Sequence, residues 1–339
     1  MFSLSGISSR PDNFHLMSAV FKRILAVGLV AGSVATGQLA GQTTKKARSQ
    51  FLTSQVPFSF PERLRVGARG NIYLLDTDLS SLFTLNTSSG EMARMCGPDK
   101  LSAPSDIALD PKGSIWVLSA FRSKVSKLTP DCRVESEIVS RRMPLGIQVN
   151  SFGELIVLNG IGEALFELYG SDGKLLRAFG QRLDYHDETT NQELSDGHIM
   201  PDKSGGIFFS FNYPPLIRHY GRRGNLINEF KPESDVPIAP PEVSVRKQGN
   251  SVTVKSRYQI LVLDMAVDDQ GRLYLLLSGK NKVPALTQGT PKLAVFSGAG
   301  KLLKQVTLEY NFHKVAVGRG GMYVLRNRTP MRLDAYASF

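Results

Sequence analysis

The sequence lacks the short motifs that mark common catalytic centres. It has no Gly-x-Ser-x-Gly turn that would expose a serine nucleophile, no glycine-rich phosphate loop ending in lysine, and no His-Glu-x-x-His metal motif. Nucleophilic and phosphoryl-transfer chemistry therefore have no support in the sequence.

Apolar runs long enough to cross a membrane are also missing. The apolar stretch Ile24–Ala35 has 12 residues, whereas a membrane-spanning helix needs about 20. A short basic segment precedes it and small residues follow it, which is the pattern of a secretory signal peptide starting at Met17 and ending near Ala35. We expect residues 1–37 to be this signal with a preceding extension, and the protein to be periplasmic or secreted with no transmembrane span in its mature chain.

Acidic residues are in the minority. The chain has 41 Lys and Arg against 30 Asp and Glu, a formal net charge of +11. The basic residues come as separate pairs, such as Arg141–Arg142 and Arg222–Arg223, which is typical of a solvated surface. Because an exported protein does not meet nucleic acid, the expected partner is a protein, a glycan or a small molecule, and the protein is expected to be a monomer.

Glycine, in contrast, recurs at regular spacing. An apolar pair, a turn, a glycine, an aliphatic residue and an aromatic or apolar residue repeat six times, with the glycines separated by 43, 40, 52, 66 and 49 residues. Such spacing is typical of four-stranded propeller blades. The repeated glycines are Gly70, Gly113, Gly153, Gly205, Gly271 and Gly320.

The repeat predicts an all-β fold: a six-bladed β-propeller of four-stranded antiparallel blades in one domain, residues 38–339. The sixth copy lacks a fourth strand, so we expect Ala47–Thr53 to close the ring beside Leu333–Tyr336. Two insertions, residues 181–197 and 232–259, lengthen the links after the third and fourth copies. The second, with apolar alternation either side of Gly249-Asn250, predicts an added β-hairpin.

The second copy carries a family resemblance. Pro104-Ser-Asp-Ile-Ala-Leu-Asp-Pro-Lys-Gly-Ser-Ile-Trp-Val117 resembles the repeat of NHL-type six-bladed propellers, and the pattern extends over about residues 47–339. The resemblance implies a superfamily in which binding proteins, lactonases and lyases share one architecture.

The candidate site lies where the innermost strands begin, at the mouth of the central channel. Seven residues before each glycine stand Arg63, Asp106, Gly146, His198, Asp264 and His313. Lactonase-like propellers hold a divalent ion at this mouth, and Asp106, His198, Asp264 and His313 together offer ligands for Zn²⁺ or another transition metal ion. The alternative is a hydrated polar rim without metal.

Lyases of similar fold place zinc-binding histidines one position earlier in each copy. There this sequence has Glu62, Ser105, Leu145, Gly197, Leu263 and Phe312, so the resemblance to those lyases is weak. The other histidines are explained without a ligand: His186 by a solvated loop and His219 by a structural role in a third strand.

The two cysteines would form a disulfide by default in an exported protein. However, Cys96 ends the fourth strand of the first copy and Cys132 opens the fourth strand of the second. We expect these positions to be a strand length apart, about 17–20 Å, and the cysteines to be unbonded in the monomer.

Two functions lead, while a third, recognition of nucleic acid or an acidic polymer by the basic surface, is disfavoured by export. The first is an exported binding or scaffold propeller whose ligand contacts the channel mouth or the inserted loops. The second is a metal-dependent hydrolase or lyase resembling the lactonases, which would use the metal-ligand candidates with Arg63 stabilising an anionic intermediate.

Overall fold

The computed structural model describes residues 58–233, 238, 240–248, 251–279, 289–308, 312–318, 320–326 and 332–336. The predicted signal segment and the predicted closing strand Ala47–Thr53 lie outside the described residues. Among the described residues, no helix has the length and apolar character that crossing a membrane requires.

The described chain forms antiparallel sheets that follow one another in sequence, and each is a blade of a ring. The first three blades consist of β1 Pro61–Val66, β2 Ile72–Asp76, β3 Ser81–Leu85 and β4 Met92–Cys96; β5 Asp106–Leu109, β6 Ile115–Ser119, β7 Lys124–Leu128 and β8 Val134–Val139; and β9 Pro144–Val149, β10 Leu155–Asn159, β11 Ala164–Tyr169 and β12 Leu175–Gln181. A 3-10 turn, Ala120–Arg122, follows β6.

The next two blades also have four strands each, and three strands of the sixth are described. They are β13 Gly197–Pro201, β14 Ile207–Phe211, β15 Ile217–Tyr220 and β16 Leu226–Phe230; β19 Val262–Val267, β20 Leu273–Gly279, β21 Gly289–Phe296 and β22 Leu302–Thr307; and β23 Lys314–Gly318, β24 Gly321–Arg326 and β25 Arg332–Tyr336. Between the fourth and fifth blades lies a separate two-stranded sheet, β17 Glu242–Gln248 and β18 Ser251–Arg257.

The blades close on themselves. Each innermost strand contacts the innermost strands of both neighbouring blades, and β23 of the last blade contacts β1 of the first. One buried apolar cluster fills each of the six spaces between adjacent blades, including the space between the last and the first. The predicted all-β ring of six blades is therefore confirmed.

Both faces of the middle strands are buried because neighbouring residues of one strand point into different clusters. On β2, Ile72 and Leu74 pack against the sixth blade, whereas Leu75 packs against the second. Every residue of β6, β10 and β14 is buried. This explains the near-continuous apolar runs in the sequence, which differ from the alternation of a sheet with one solvated face.

The turn between the first two strands differs in the sixth blade. In the second blade Leu109 pairs with Ile115 across the turn that holds Gly113, which has a positive φ of 96°. In the sixth blade Val317 pairs with Met322. The turn between these two residues is one residue shorter than the turn between Leu109 and Ile115. The alignment of the sixth copy on its glycine is therefore wrong by one residue.

The two insertions have structure of their own. Residues 181–197 contain a short helix, α1 (Glu188–Glu193), whose N-cap Asp187 accepts a hydrogen bond from the Thr190 N–H at 2.7 Å. In the second insertion, β17 and β18 form the antiparallel hairpin that the sequence predicts. Leu194, Tyr213 and Leu261 form a small apolar cluster that joins the two insertions to the fourth blade, with Tyr258 packed against it.

The prediction for the cysteines is wrong. Cys96 and Cys132 form a disulfide, with their Cα atoms 5.9 Å apart. The prediction placed the two cysteines at opposite ends of neighbouring outer strands. Sheet twist accumulates by roughly 20–25° per strand, so the end of β4 turns towards the turn that precedes β8. The disulfide consequently joins the first blade to the second, within the buried cluster between them.

Candidate functional site

Six positions at the beginning of the innermost strands surround the ring axis. Each position is identified by the residue that it pairs with on the second strand of its blade. In all six blades this partner lies the same number of residues after the first turn. We call them the mouth ring: Arg63 opposite Leu75, Asp106 opposite Leu118, Gly146 opposite Leu158, His198 opposite Ser210, Asp264 opposite Leu276, and Lys314 opposite Leu325.

The sixth member corrects the sequence alignment. The shorter turn of the sixth blade places Lys314 in the mouth ring, in the position that the sequence assigned to His313. The backbone N–H of His313 donates to the Leu325 carbonyl at 2.9 Å, just as that of Ser105 donates to the Leu118 carbonyl at 2.7 Å. His313 therefore occupies the position before the mouth ring, where the sequence alignment had placed Phe312.

Asp106 connects three blades. Its Oδ1 accepts hydrogen bonds from Arg63 Nε at 3.0 Å, from Arg65 Nη2 at 3.1 Å and from the Ile107 N–H at 2.9 Å, and its Oδ2 accepts one from the Ile147 N–H at 3.0 Å. The carboxylate is only 6% exposed. We call this set the Asp106 network; it uses both carboxylate oxygens to join the first, second and third blades.

Asp264 has the same relations three blades later. Its Oδ1 lies 3.3 Å from His198 Nδ1 on the preceding blade. Its Oδ2 accepts a hydrogen bond from the Val315 N–H on the following blade at 2.9 Å. We call this the Asp264 network, and its carboxylate is likewise 6% exposed.

The two networks repeat with a half-turn of the ring. In each network, an aspartate contacts the mouth-ring residue of the preceding blade. It also accepts a hydrogen bond from a backbone N–H of the next blade, that of the residue directly after the mouth-ring position. The triplets are Arg63, Asp106 and Gly146, and then His198, Asp264 and Lys314. The halves differ most at the third member, which is glycine in one and lysine in the other.

Two further ionisable groups near the mouth ring were not in the sequence prediction. Asp196 accepts hydrogen bonds from the Gly197 N–H at 2.7 Å and from Asn212 Nδ2 at 3.1 Å, and burial raises the pKa of its carboxyl group. Burial also lowers the pKa of Lys314, although the nearby Asp264 carboxylate acts in the opposite direction. Charged groups from the first, second, fourth, fifth and sixth blades thus share one partly dehydrated region.

His198 is neutral in this setting. Burial lowers its pKa from the ordinary 6.5 to about 4, with Lys314 and Arg63 contributing in the same direction and Asp264 opposing them. A histidine with this pKa carries no charge at neutral pH. Arg63, Arg65 and Lys314 therefore supply the positive charge at the mouth.

We expect acid to destabilise the protein through His198. Between about pH 6.5 and pH 4 the unfolded chain binds a proton on this residue that the folded protein does not, so stability falls as the pH falls through that range. The full effect is about 3 kcal/mol. Urea denaturation at several pH values should show a shallower dependence for His198→Gln. His186→Gln, at a residue that is 92% exposed, should match the wild type; equal slopes for all three proteins would contradict the assignment.

Metal binding by the predicted ligands stays a prediction, and their geometry gives it little support. Among the described residues, no three His, Cys, Asp or Glu side chains are grouped so that they could hold a metal ion. Asp106 and Asp264 lie on opposite blades, and the oxygens of each already accept hydrogen bonds or contact His198. A metal ion would have to displace these partners.

Two further histidines of the described residues lie away from the mouth ring. His219 contacts Asp202 at 2.6 Å through Nε2 and stacks on Phe208 with a ring-centroid distance of 4.1 Å, in keeping with a structural role. His186 is exposed next to Asp184.

Arg65, Asp196 and Lys314 are the residues of the site that sequence reasoning missed. Arg65 lies two residues after Arg63 on β1, so strand periodicity places both on one face, and this signal was available. Asp196 ends an insertion, where no repeat position defines it.

No protein-family model matches the chain, and no curated protein sequence matches it. Solved structures do match. Virginiamycin B lyase from Staphylococcus aureus has a TM-score of 0.53 at 14% identity, covering 86% of this chain and 88% of that one. A streptogramin B lyase has a TM-score of 0.54 at 12% identity, with 85% and 97% covered.

A propeller of another kind is equally similar. The β-propeller domain of Cps50 (Swd1) from Myceliophteria thermophila has a TM-score of 0.52 at 10% identity, covering 85% of this chain and 100% of that one. The chain has the fold of a six-bladed β-propeller. At these identities the likeness concerns the fold alone, since lyases and another propeller match to the same degree.

Proposed function

We propose that the protein is an exported binding propeller whose ligand contacts the mouth ring and the two inserted segments. The observation that carries the proposal is the convergence of both insertions on the mouth. Residues 181–197 lead directly into β13, which holds His198, and the second insertion leads into β19, which holds Asp264. Long segments on a rigid scaffold commonly contain the residues that bind a ligand.

Contacts between the insertions and the mouth support this assignment. Asn212 donates to Asp196 through Nδ2, and its backbone carbonyl accepts a hydrogen bond from the Leu261 N–H at 2.9 Å. Tyr258 and Tyr213 pack against each other with a ring-centroid distance of 5.9 Å. The ends of both inserted segments are thus held against Asn212 and Tyr213 of the fourth blade, beside Asp196.

The disulfide supports export. Disulfides persist in oxidising compartments and are rare in the cytosol, and Cys96 and Cys132 are bonded. This agrees with the secretory signal that the sequence of the first 37 residues predicts.

The alternative is a metal-dependent hydrolase or lyase, and the similarity to the two lyases favours it to the extent that a shared fold can. It requires an ion at Asp106 or Asp264. Metal analysis of the purified protein beside Asp264→Asn separates the alternatives. A stoichiometric ion that the variant loses would overturn the binding proposal in favour of the enzyme; an absence of bound ion in both proteins supports binding.

A ligand screen tests the binding proposal directly. We expect at least one compound from a panel of small molecules and glycans to raise the unfolding temperature, since a ligand at 100 times its Kd stabilises by about 2.7 kcal/mol. The effect should shrink when a short turn replaces the hairpin between Glu242 and Arg257, which pair directly, or when Gly146→Leu narrows the mouth. No stabilising compound, or equal stabilisation of both variants and the wild type, would refute the proposal.

A further inference from the structure

The unused binding capacity at the mouth is cationic. Lys314 forms no ion pair with any carboxylate in the described part of the chain, although the Asp264 charge acts on it. Arg63 donates through Nε to Asp106 and through Nη1 to the Glu62 carbonyl, which leaves its Nη2 without a hydrogen bond to a described residue. Arg65 Nε is buried without a partner among the same residues.

The carboxylates of the two networks, in contrast, are already used. Both oxygens of Asp106 accept hydrogen bonds. Asp264 accepts one through Oδ2, and its Oδ1 lies 3.3 Å from His198 Nδ1. Asp196 accepts from a backbone N–H and from Asn212. The groups that remain available to a ligand in the mouth are therefore hydrogen-bond donors, because the carboxylate acceptors already have partners.

The half-turn relation between the networks sets a residue without a side chain opposite Lys314. The third and sixth blades face each other across a ring of six, so the mouth-ring position opposite Lys314 is Gly146. A Cβ at Gly146 would have Asp106 Oδ2 as its nearest neighbour, at 3.4 Å, and Leu158 at 4.0 Å. The third blade therefore has no side chain at the mouth-ring position that is opposite Lys314.

The total charge limits the kind of anion. Arg63, Arg65 and Lys314 are set against the carboxylates of Asp106, Asp264, Asp196 and Glu62, and the Glu62 charge acts on both Arg63 and Lys314. With three cationic groups against four carboxylates, the mouth has no excess of positive charge that could hold a phosphate or a dicarboxylate. One negative charge is the most that Lys314 can neutralise there.

We propose that the mouth ring binds a small monocarboxylate, whose carboxylate accepts hydrogen bonds from the Lys314 ammonium and the Arg63 guanidinium and whose body extends towards Gly146, where no side chain projects. This rests on the proposed binding function and names the ligand class for the same site. A charge-assisted hydrogen bond contributes more than a neutral one, so the acid form of a ligand is preferred to its amide.

The test measures binding of acetate, lactate, gluconate and benzoate by calorimetry at pH 7, beside the corresponding amides, succinate and inorganic phosphate. We expect at least one monocarboxylate to bind, and Lys314→Met to weaken it at least tenfold. Lys314→Arg, which keeps the charge, should retain part of the affinity. Lys174→Met, at an exposed lysine paired with Asp172, is the matched control and should bind as the wild type does.

Separate outcomes distinguish the two proposals. If neutral compounds bind and respond to the hairpin replacement while Lys314→Met changes nothing, the carboxylate assignment is wrong and the binding function stands. Tighter binding of phosphate or succinate than of any monocarboxylate would also overturn the assignment. If no compound binds to the wild type, both proposals fail. Denaturant midpoints of the variants show whether each is folded.

Discussion

Replacing Cys96 and Cys132 together by alanine will lower the free energy of unfolding by about 4 kcal/mol. The disulfide closes a loop with a sequence separation of 36 residues, and the loss of loop-closure entropy in the unfolded chain gives this magnitude. Both cysteines are buried in the cluster between the first two blades, so alanine leaves only a small space in the core. Equilibrium urea denaturation measures the effect.

Reductant provides the control for this experiment. The wild type in reductant should unfold near the denaturant concentration of the double variant, and the variant should be insensitive to reductant. A wild-type midpoint that does not move under full reduction, verified by thiol labelling in denaturant, would show that the disulfide contributes no stability.

The second large effect is expected at Asp106. Asp106→Ala should destabilise the protein by about 3–5 kcal/mol, because it removes the partner of two guanidinium groups and leaves the buried Ile147 N–H without an acceptor. Asp106→Asn, which keeps an oxygen for that N–H, should lose less. Chemical denaturation measures both variants.

A surface ion pair is the comparison for Asp106. Asp131 contacts Arg133 in an exposed turn, where both side chains are more than half exposed, and Asp131→Ala should leave the denaturation midpoint unchanged. If Asp106→Ala were equally silent, the Asp106 network would contribute nothing to holding the first three blades together.

The architecture could be predicted because each blade repeats the same local chemistry. The first turns of five copies keep a glycine at positive φ, among them Gly70, Gly113 and Gly271, and buried strands follow each of them. The hairpin around Gly249-Asn250 was predictable for the same reason. These features depend on residues close together in sequence, where the physical rules for turns and strands apply directly.

The site could be predicted only in part. Five of its six mouth-ring positions follow from the repeat, but the sixth depends on a turn that is one residue shorter. Gly320 and Gly321 are adjacent in sequence, and only the pairing of Val317 with Met322 shows which register applies. The sequence therefore predicted His313 at the sixth mouth-ring position, where the structure has Lys314.

The relations that join blades could not be predicted. The disulfide depends on accumulated sheet twist, and the contacts of Asp106 with Arg65 and Ile147 join residues 41 positions apart in both directions. The repeat period gives separations of this size, but the side chains that meet across two blades are set by how the blades pack around the axis.

The half-turn relation between the two aspartate networks means that the charge at the mouth can be reoriented without redesigning the scaffold. Exchanging Gly146 and Lys314 would move the ammonium group from the sixth blade to the third while both aspartates kept their partners. The first inserted segment links the third blade to the fourth, so the exchange would place the charge on the blade from which that segment leaves. The affinity for a ligand and the orientation of the bound ligand could thus evolve separately in the same mouth ring.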